Sequence, residues 1–189
     1  EFGRAAESYH KAGRMSVAAE MYEKAGRHLQ AGECYAQCEF HRHAAQAFVK
    51  AEDWARAAKA LEDVLLEEGA RVGSGQDPAK EKELRKLVLQ AGQLHVHAGD
   101  LESAERVLEK GGCFKAAADV ALRLEHFSKA SDLFQRAGDP LKAAEALREL
   151  GEEQAAAQIL GDYHRDRGDD EEAARLLVQA GDFVAAGDL

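Results

Sequence analysis

A thirteen-residue beat constrains this chain more than any other feature. The segment AAESYHKAGRMSV, residues 5–17, is followed at once by AAEMYEKAGRHLQ, residues 18–30. Ala-Ala, an aromatic four residues after the first Ala, and Lys-Ala-Gly recur in step. Counting each unit from its first Ala, position 1 falls at Ala5, Ala18, Ala31, Ala44 and Ala57. It falls again at Ala91, Ala104, Ala117, Ala130, Ala143 and Ala156, and last at Ala173. A repeat this short cannot bury an apolar face alone, so its copies must stack on one another.

The unit reads as one helix. Ala, Glu, Leu, Lys and Arg dominate the composition and only two prolines occur, which favours helices. Position 5 is large and apolar in most units: Tyr9, Tyr22, Tyr35, Phe48, Leu61, Leu108, Phe134, Leu147, Leu160 and Leu177. Positions 1, 4, 5 and 8 share one face of a helix with 3.6 residues per turn. Position 9 is Gly in seven of twelve units, where a helix ends in a left-handed cap. Position 11 is often apolar (Met15, Trp54, Leu101, Phe114, Phe127, Phe183) and is expected in the turn, stapling the entry to the next helix.

A turn of about three residues leaves helices of roughly ten residues, near 15 Å long, too short to persist alone in water. The small pair at positions 1 and 2 lets neighbouring helices approach, and the position-5 side chain fills the gap. Short turns make consecutive helices antiparallel. The expected fold is therefore all-α: a right-handed α-solenoid of about twelve short antiparallel helices. Tyr9, Tyr35 and Leu61 would lie in one helix layer, and Tyr22 and Phe48 in the other.

The beat slips twice. Residues 53–68 run past the usual stop, and GARVGSGQDP reads as an exposed loop, with Asp77 as N-cap and Pro78 opening a longer helix to about Ala98. The organisation expected is a first solenoid block over 1–68, a loop over 69–78 and a second block over 79–189. The segment GDYHRDRGDDEE lengthens the eleventh helix and acidifies the following turn. Phe2 lands on position 11 of a preceding unit and Ala186 on position 1 of a following one. The chain is thus expected to be part of a longer array, whose uncapped ends could pair end to end.

The strings YEKAGR, AGDLESAERVLEKGG and FQRAGDPLKAAEALRELGE resemble the tetratricopeptide-like superfamily of helical-hairpin solenoids. They are most similar to its short-helix variants, such as the vesicle-fusion attachment proteins and transport and coat subunits. The resemblance spans nearly all of residues 4–187. It implies a protein-binding scaffold with no chemistry of its own. The thirteen-residue unit departs from the family's standard 34-residue period, so no peptide-binding position is carried over.

Charge narrows the partners. The net charge is −10, and no Lys/Arg run builds a basic patch, which argues against nucleic acid. No apolar run is long enough to span a bilayer, so no direct membrane insertion is expected. Three cysteines cannot form a fully paired framework, which points to a reducing, cytoplasmic compartment.

Several residues that could carry chemistry also suit packing. Cys34, Cys38, His41 and His43 have the residue types and helical spacing of a zinc site. Cys34 and Cys38 also fill positions 4 and 8, where other units carry Ala, Met, Val or Leu, and the small-hydrophobe reading is preferred. His95 takes the position-5 slot: it is either a pH-sensitive group or, the preferred reading, a packed and hydrogen-bonded core histidine, with His97 on the exposed side. Lys11, Lys24 and Lys50 form a ladder at position 7. Glu7 and Glu20 precede the first two by four residues, as Asp119 precedes Arg123 and Asp132 precedes Arg136, so ion pairs along each helix are expected. The acidic residues Asp162, Asp166, Asp169, Asp170, Glu171 and Glu172 lack the alternation of a calcium loop. GSGQD at 73–77 lacks the Lys-Ser/Thr of a phosphate loop. No catalytic residue and no cofactor is expected. The function expected is a non-enzymatic protein–protein interaction scaffold, holding another protein or a neighbouring domain. The alternative is a ligand- or metal-responsive regulatory helical domain.

Overall fold

The computed structural model describes residues 1–72 and 78–189, and among them every regular element is helical. Thirteen helices occur in these residues: α1 (Phe2–Lys11), α2 (Met15–Lys24), α3 (His28–Gln37), α4 (His41–Lys50), α5 (Trp54–Val72), α6 (Pro78–Ala98), α7 (Leu101–Lys110), α8 (Phe114–Arg123), α9 (Phe127–Arg136), α10 (Pro140–Glu149), α11 (Glu153–Asp166), α12 (Asp170–Ala180) and α13 (Phe183–Gly187). The twelve units map onto α1 to α12, and Ala186 lies in α13. The chain forms two compact units, Glu1–Gly111 with α1 to α7 and Gly112–Leu189 with α8 to α13. Within each unit every helix packs against the next in chain order, so each is a run of an all-α solenoid.

Two expectations about the repeat are corrected. Position 11 is the first residue of the helix rather than part of the turn: Phe2, Met15, His28, His41, Leu101, Phe114 and Phe127 each open one. In the ten-residue helices position 8 is the helix C-cap rather than a core position, and Ala12, Ala137 and Leu150 are exposed there; in the longer α5 the position-8 residue, Val64, is buried as expected. The buried stripe is positions 1, 2, 4 and 5, as in Ala44, Ala45, Ala47 and Phe48, or Ala143, Ala144, Ala146 and Leu147. The physical reason is the length of the unit. A helix that runs from position 11 to position 7 has its middle at positions 1 to 5, and position 8 points off the end as the chain turns away.

The three-residue connections close by one hydrogen-bond pattern. The Gly13 N–H donates to the His10 carbonyl at 3.0 Å and the Arg14 N–H to the Tyr9 carbonyl at 2.9 Å, the paired bonds of a Schellman cap. The pattern recurs at Glu52 and Asp53, donating to Val49 and Phe48, and at Gly138 and Asp139, donating to Gln135 and Phe134. Position 9 therefore needs a positive φ. Glycine supplies it in most units, but Glu39 (φ 59°), Glu52 (φ 57°) and Glu125 (φ 58°) are held there too. A left-handed conformation costs an L-residue roughly 1–2 kcal/mol, against roughly 0.5–1 kcal/mol of extra chain entropy for glycine. Glu52→Gly is accordingly expected to stabilise the protein by about 0.5–1 kcal/mol, seen as a raised urea midpoint. A lowered midpoint would contradict the cap assignment.

The small pair at positions 1 and 2 works as the sequence suggests. Eleven of the twelve position-1 alanines are fully buried, and Ala5 on α1 is half-buried. The position-5 side chain of one helix seats on position 2 of the helix before it. A Cβ added to Gly32 would lie 2.7 Å from the Phe48 ring, and one added to Gly92 would lie 2.6 Å from Leu108 Cγ. Among the twelve position-2 residues Glu105 is the one that is not small, and it is buried.

Helix α5 continues through Gly69 to Val72, so residues 69–72, expected in the loop, are helical. Pro78 opens α6, which ends at Ala98 as expected. Asp77 and the GSGQD segment lie outside the described residues. In the second unit α11 is lengthened to fourteen residues. The expected acidic cluster there is partly neutralised by neighbours: Asp162 pairs with Arg165 at 2.7 Å, Asp169 with His164 at 3.3 Å, and Glu172 with Arg175.

Two of the carboxylates expected to pair along their own helix pair with the next helix instead. Glu7 is taken by Arg27 at 2.7 Å rather than by Lys11, and Asp119 by Lys142 at 3.8 Å rather than by Arg123. These pairs are well exposed and contribute little stability each.

Candidate interaction groove

Within the first unit, α4 and α6 stand on either side of a groove of about 600 Å³ floored by α5. Its apolar surface comes from Ala45 and Val49 on α4, Leu61 on α5, and Leu87 and Leu94 on α6. Trp54, the first residue of α5, sits at one end with its ring tilted against that of His97, the centroids 5.4 Å apart. Gln46 on the α4 wall and Gln90 and Gln93 on the α6 wall also line it. No described residue hydrogen-bonds these three amides. The charged lining consists of Arg42 and Lys50, one at each end of α4, and includes no carboxylate.

The partners of these two cations lie outside the lining. Lys50 Nζ donates to Glu23 Oε1 at 2.8 Å, and Arg42 sits 3.5 Å from Glu68 and 3.4 Å from Glu83. Glu23 also accepts a hydrogen bond from the Tyr35 hydroxyl at 3.1 Å. The hydrogen bond from Lys50, before that from Tyr35, holds the Glu23 carboxyl below its usual range. Burial first, then the charge of Glu23, pushes the Tyr35 hydroxyl up to about 12.

Because the folded value for Tyr35 exceeds the unfolded value near 10, the native state holds this proton more tightly. Its contribution is complete below about pH 10 and is lost as pH rises toward 12. Stability should therefore fall by up to about 2 kcal/mol across that window. Tyr35→Phe should lack this phase when unfolding is followed against pH, and an unchanged phase in Tyr35→Phe would contradict the assignment.

The residues singled out as zinc-site candidates do not converge. Cys34 lies in the core of α3, where burial pushes its thiol up, and Cys38 is the half-buried C-cap. The His43 ring packs 5.3 Å from that of Tyr35, while His41 faces α5, 3.8 Å from Asp63 and 3.5 Å from Glu67. Among the described residues no three His, Cys, Asp or Glu side chains are gathered so as to hold a metal ion. His95 is a packed, hydrogen-bonded residue: it is buried, with Nε2 2.6 Å from Glu62 Oε1 and Nδ1 3.7 Å from Asp100. His97 instead joins the groove.

The groove residues escaped the sequence reading, although a signal for them exists. Position 3 is charged in nine of twelve units, and its exceptions are Gln46, Gln93 and Gln158. Two of those three exceptions line the groove. Among the described residues no helix is long and apolar enough to cross a membrane. Comparison with known proteins finds no protein-family model and no curated protein that matches this chain.

Proposed function

We propose that the chain is a non-enzymatic protein-interaction module, a cytoplasmic scaffold segment of the tetratricopeptide-like helical-hairpin kind within a larger protein. The observation that carries this reading is the groove between α4 and α6. In a chain of net charge −10, its apolar floor, unpartnered amides and aromatic end stand out from the charged helix faces around it. Pockets of this size and mixture bind ligands through apolar contact and a few placed polar groups. A partner polypeptide or a neighbouring domain is the ligand this surface suits.

The test is reconstitution. Proteins retained from an extract of the source organism are identified, produced alone and titrated calorimetrically into the purified chain. Saturable one-to-one binding of a polypeptide is the expected result. Its absence, together with stoichiometric zinc in protein purified without added metal, would favour the metal-responsive reading around Cys34, Cys38, His41, His95 and His97 instead.

A further inference from the structure

A second hollow of the first unit lies in the other helix layer. There α5 and α7 enclose a pocket of about 310 Å³, floored by Leu84 and Val88 of α6. It arises because the helices differ in length. Helix α7 stops at Lys110, whereas α5 runs on to Val72 and α6 begins at Pro78. Leu65 stands at position 9, which is Gly or Glu in ten of the twelve units, and α5 continues helically past it. Leu65, Leu66 and Gly69 of that continuation form one wall, and Val107 and Gly111 the other.

The pocket is closed at its floor and open at its α5 wall. Gly111 is the one glycine among the twelve position-8 residues, and a Cβ there would lie 2.3 Å from Val88 Cγ1. Only glycine lets α6 and α7 meet so closely. Gly69 borders open space instead, with no atom within 4 Å of an added Cβ, and Leu66 is 72% exposed. Covering this apolar wall would remove its surface from water, which is favourable.

The charged groups of the lining are Glu62, Arg106 and Lys110. Glu62 is already committed: His95 Nε2 lies 2.6 Å from its Oε1, and Arg106 lies 3.6 Å from the same oxygen. Lys110 has no partner among the described residues. One uncompensated positive charge therefore stands beside an apolar hollow. Concave apolar pockets with a few placed polar groups take small molecules, and about 310 Å³ is near the lower end of their size range. A single anionic head complements the charge, and a short saturated tail complements the walls. A cationic head would meet Lys110 as a like charge, and an uncharged one would leave it unpaired.

We propose that the α5–α7 pocket binds a small amphipathic anion, a medium-chain carboxylate. Its tail lies between Leu65 and Val107 over Leu84 and Val88, and its carboxylate meets Lys110. The site is separate from the α4–α6 groove and does not depend on the docking reading.

Octanoate is the probe, titrated calorimetrically into the purified chain at neutral pH and compared with hexanoate, 1-octanol and octylammonium. Saturable one-to-one binding of octanoate is expected. Hexanoate, two CH₂ groups shorter, should bind roughly tenfold more weakly. Octanol and octylammonium should also bind less tightly, and added salt should weaken octanoate. Gly69→Leu fills the pocket from a helix position with room for a side chain, so a thermal melt should show the fold kept while octanoate binding is lost. Lys110→Ala should weaken octanoate about threefold and leave octanol unchanged. Gln46→Glu, in the α4–α6 groove, should change nothing. No saturable binding, octanol at least as tight as octanoate, or octanoate binding that survives Gly69→Leu would each overturn the inference. A reconstituted protein partner that loses affinity on Gly69→Leu, with octanoate silent, would assign the pocket to that partner and overturn the inference likewise. The docking function stands or falls separately, on the reconstitution.

Discussion

Phe134→Ala is expected to destabilise the second unit by about 3–5 kcal/mol, the range for emptying a fully buried aromatic site. Phe134 is the position-5 residue of α9 and has no exposed surface. Its neighbours on the stripe, Ala130 and Leu133, are also buried, and Lys142 of α10 lies over the ring at 5.3 Å. A short helix has few other anchors, and neighbouring helices held by three-residue turns have little freedom to collapse into the space. Urea unfolding of wild type and variant reads the effect directly. A loss below about 1 kcal/mol, typical of a surface substitution, would mean that position 5 does not carry the stack. Leu177 in α12, also fully buried, should behave alike, with about 2–5 kcal/mol lost on truncation to Ala.

The second large effect runs against helix propensity. Gly92 lies inside α6, where replacing glycine by almost any residue other than proline would ordinarily stabilise the helix by a few tenths to about 1 kcal/mol. Here even a Cβ would meet Leu108 Cγ and Cδ2 at 2.6 Å, a separation that forces the neighbour to move. Overpacking of this kind costs about 1–3 kcal/mol and occasionally more. Packing therefore outweighs propensity, and Gly92→Val should destabilise by about 2–3 kcal/mol. Gly69 supplies the contrast. It lies in α5 with no atom within 4 Å of an added Cβ, so Gly69→Ala should stabilise by about 0.5–1 kcal/mol. Opposite signs for the two glycines in the same denaturation assay are the expected result. Equal signs would show that the close approach of α6 and α7 is not what requires Gly92.

Much of the fold could be read from the sequence because one interval governs it. The alanines at position 1, the large residues at position 5 and the glycines at position 9 mark twelve of the thirteen helices among the described residues, and most of their turns. The phase of the helix within the unit is less legible. Positions 8 and 11 look apolar enough to be core and turn, as Leu150 and Trp54 show, but a ten-residue helix has room for only one central stripe. Periodicity gives the face of a helix and not where its ends lie.

Four-residue spacing within a helix says nothing of a better-placed cation on the next one, such as Arg27 for Glu7. Glu39, Glu52 and Glu125 show the limit of residue-type rules: the rigid turn between two packed helices imposes a left-handed residue even where the sequence offers no glycine. The groove depends on residues about 47 positions apart, Gln46 and Gln93. Only the stacking of α4, α5 and α6 brings those two together. The zinc-site candidates looked clustered along the chain, yet packing sends Cys34 inward, His43 onto Tyr35 and His41 toward α5.

If the thirteen-residue interval is what folds this chain, removing whole helical hairpins should be tolerated and removing other lengths should not. Deleting residues 15–40, which contain α2 and α3, joins Arg14 to His41 in phase and brings α4 against α1, with Phe48 in the slot of Tyr22. Deleting residues 15–34 removes less of the chain but breaks the phase. Thermal unfolding followed by circular dichroism should give a cooperative transition and undiminished helicity per residue for the first deletion, and a loss of both for the second. Equal behaviour of the two deletions would contradict the repeat as the organising principle of the fold.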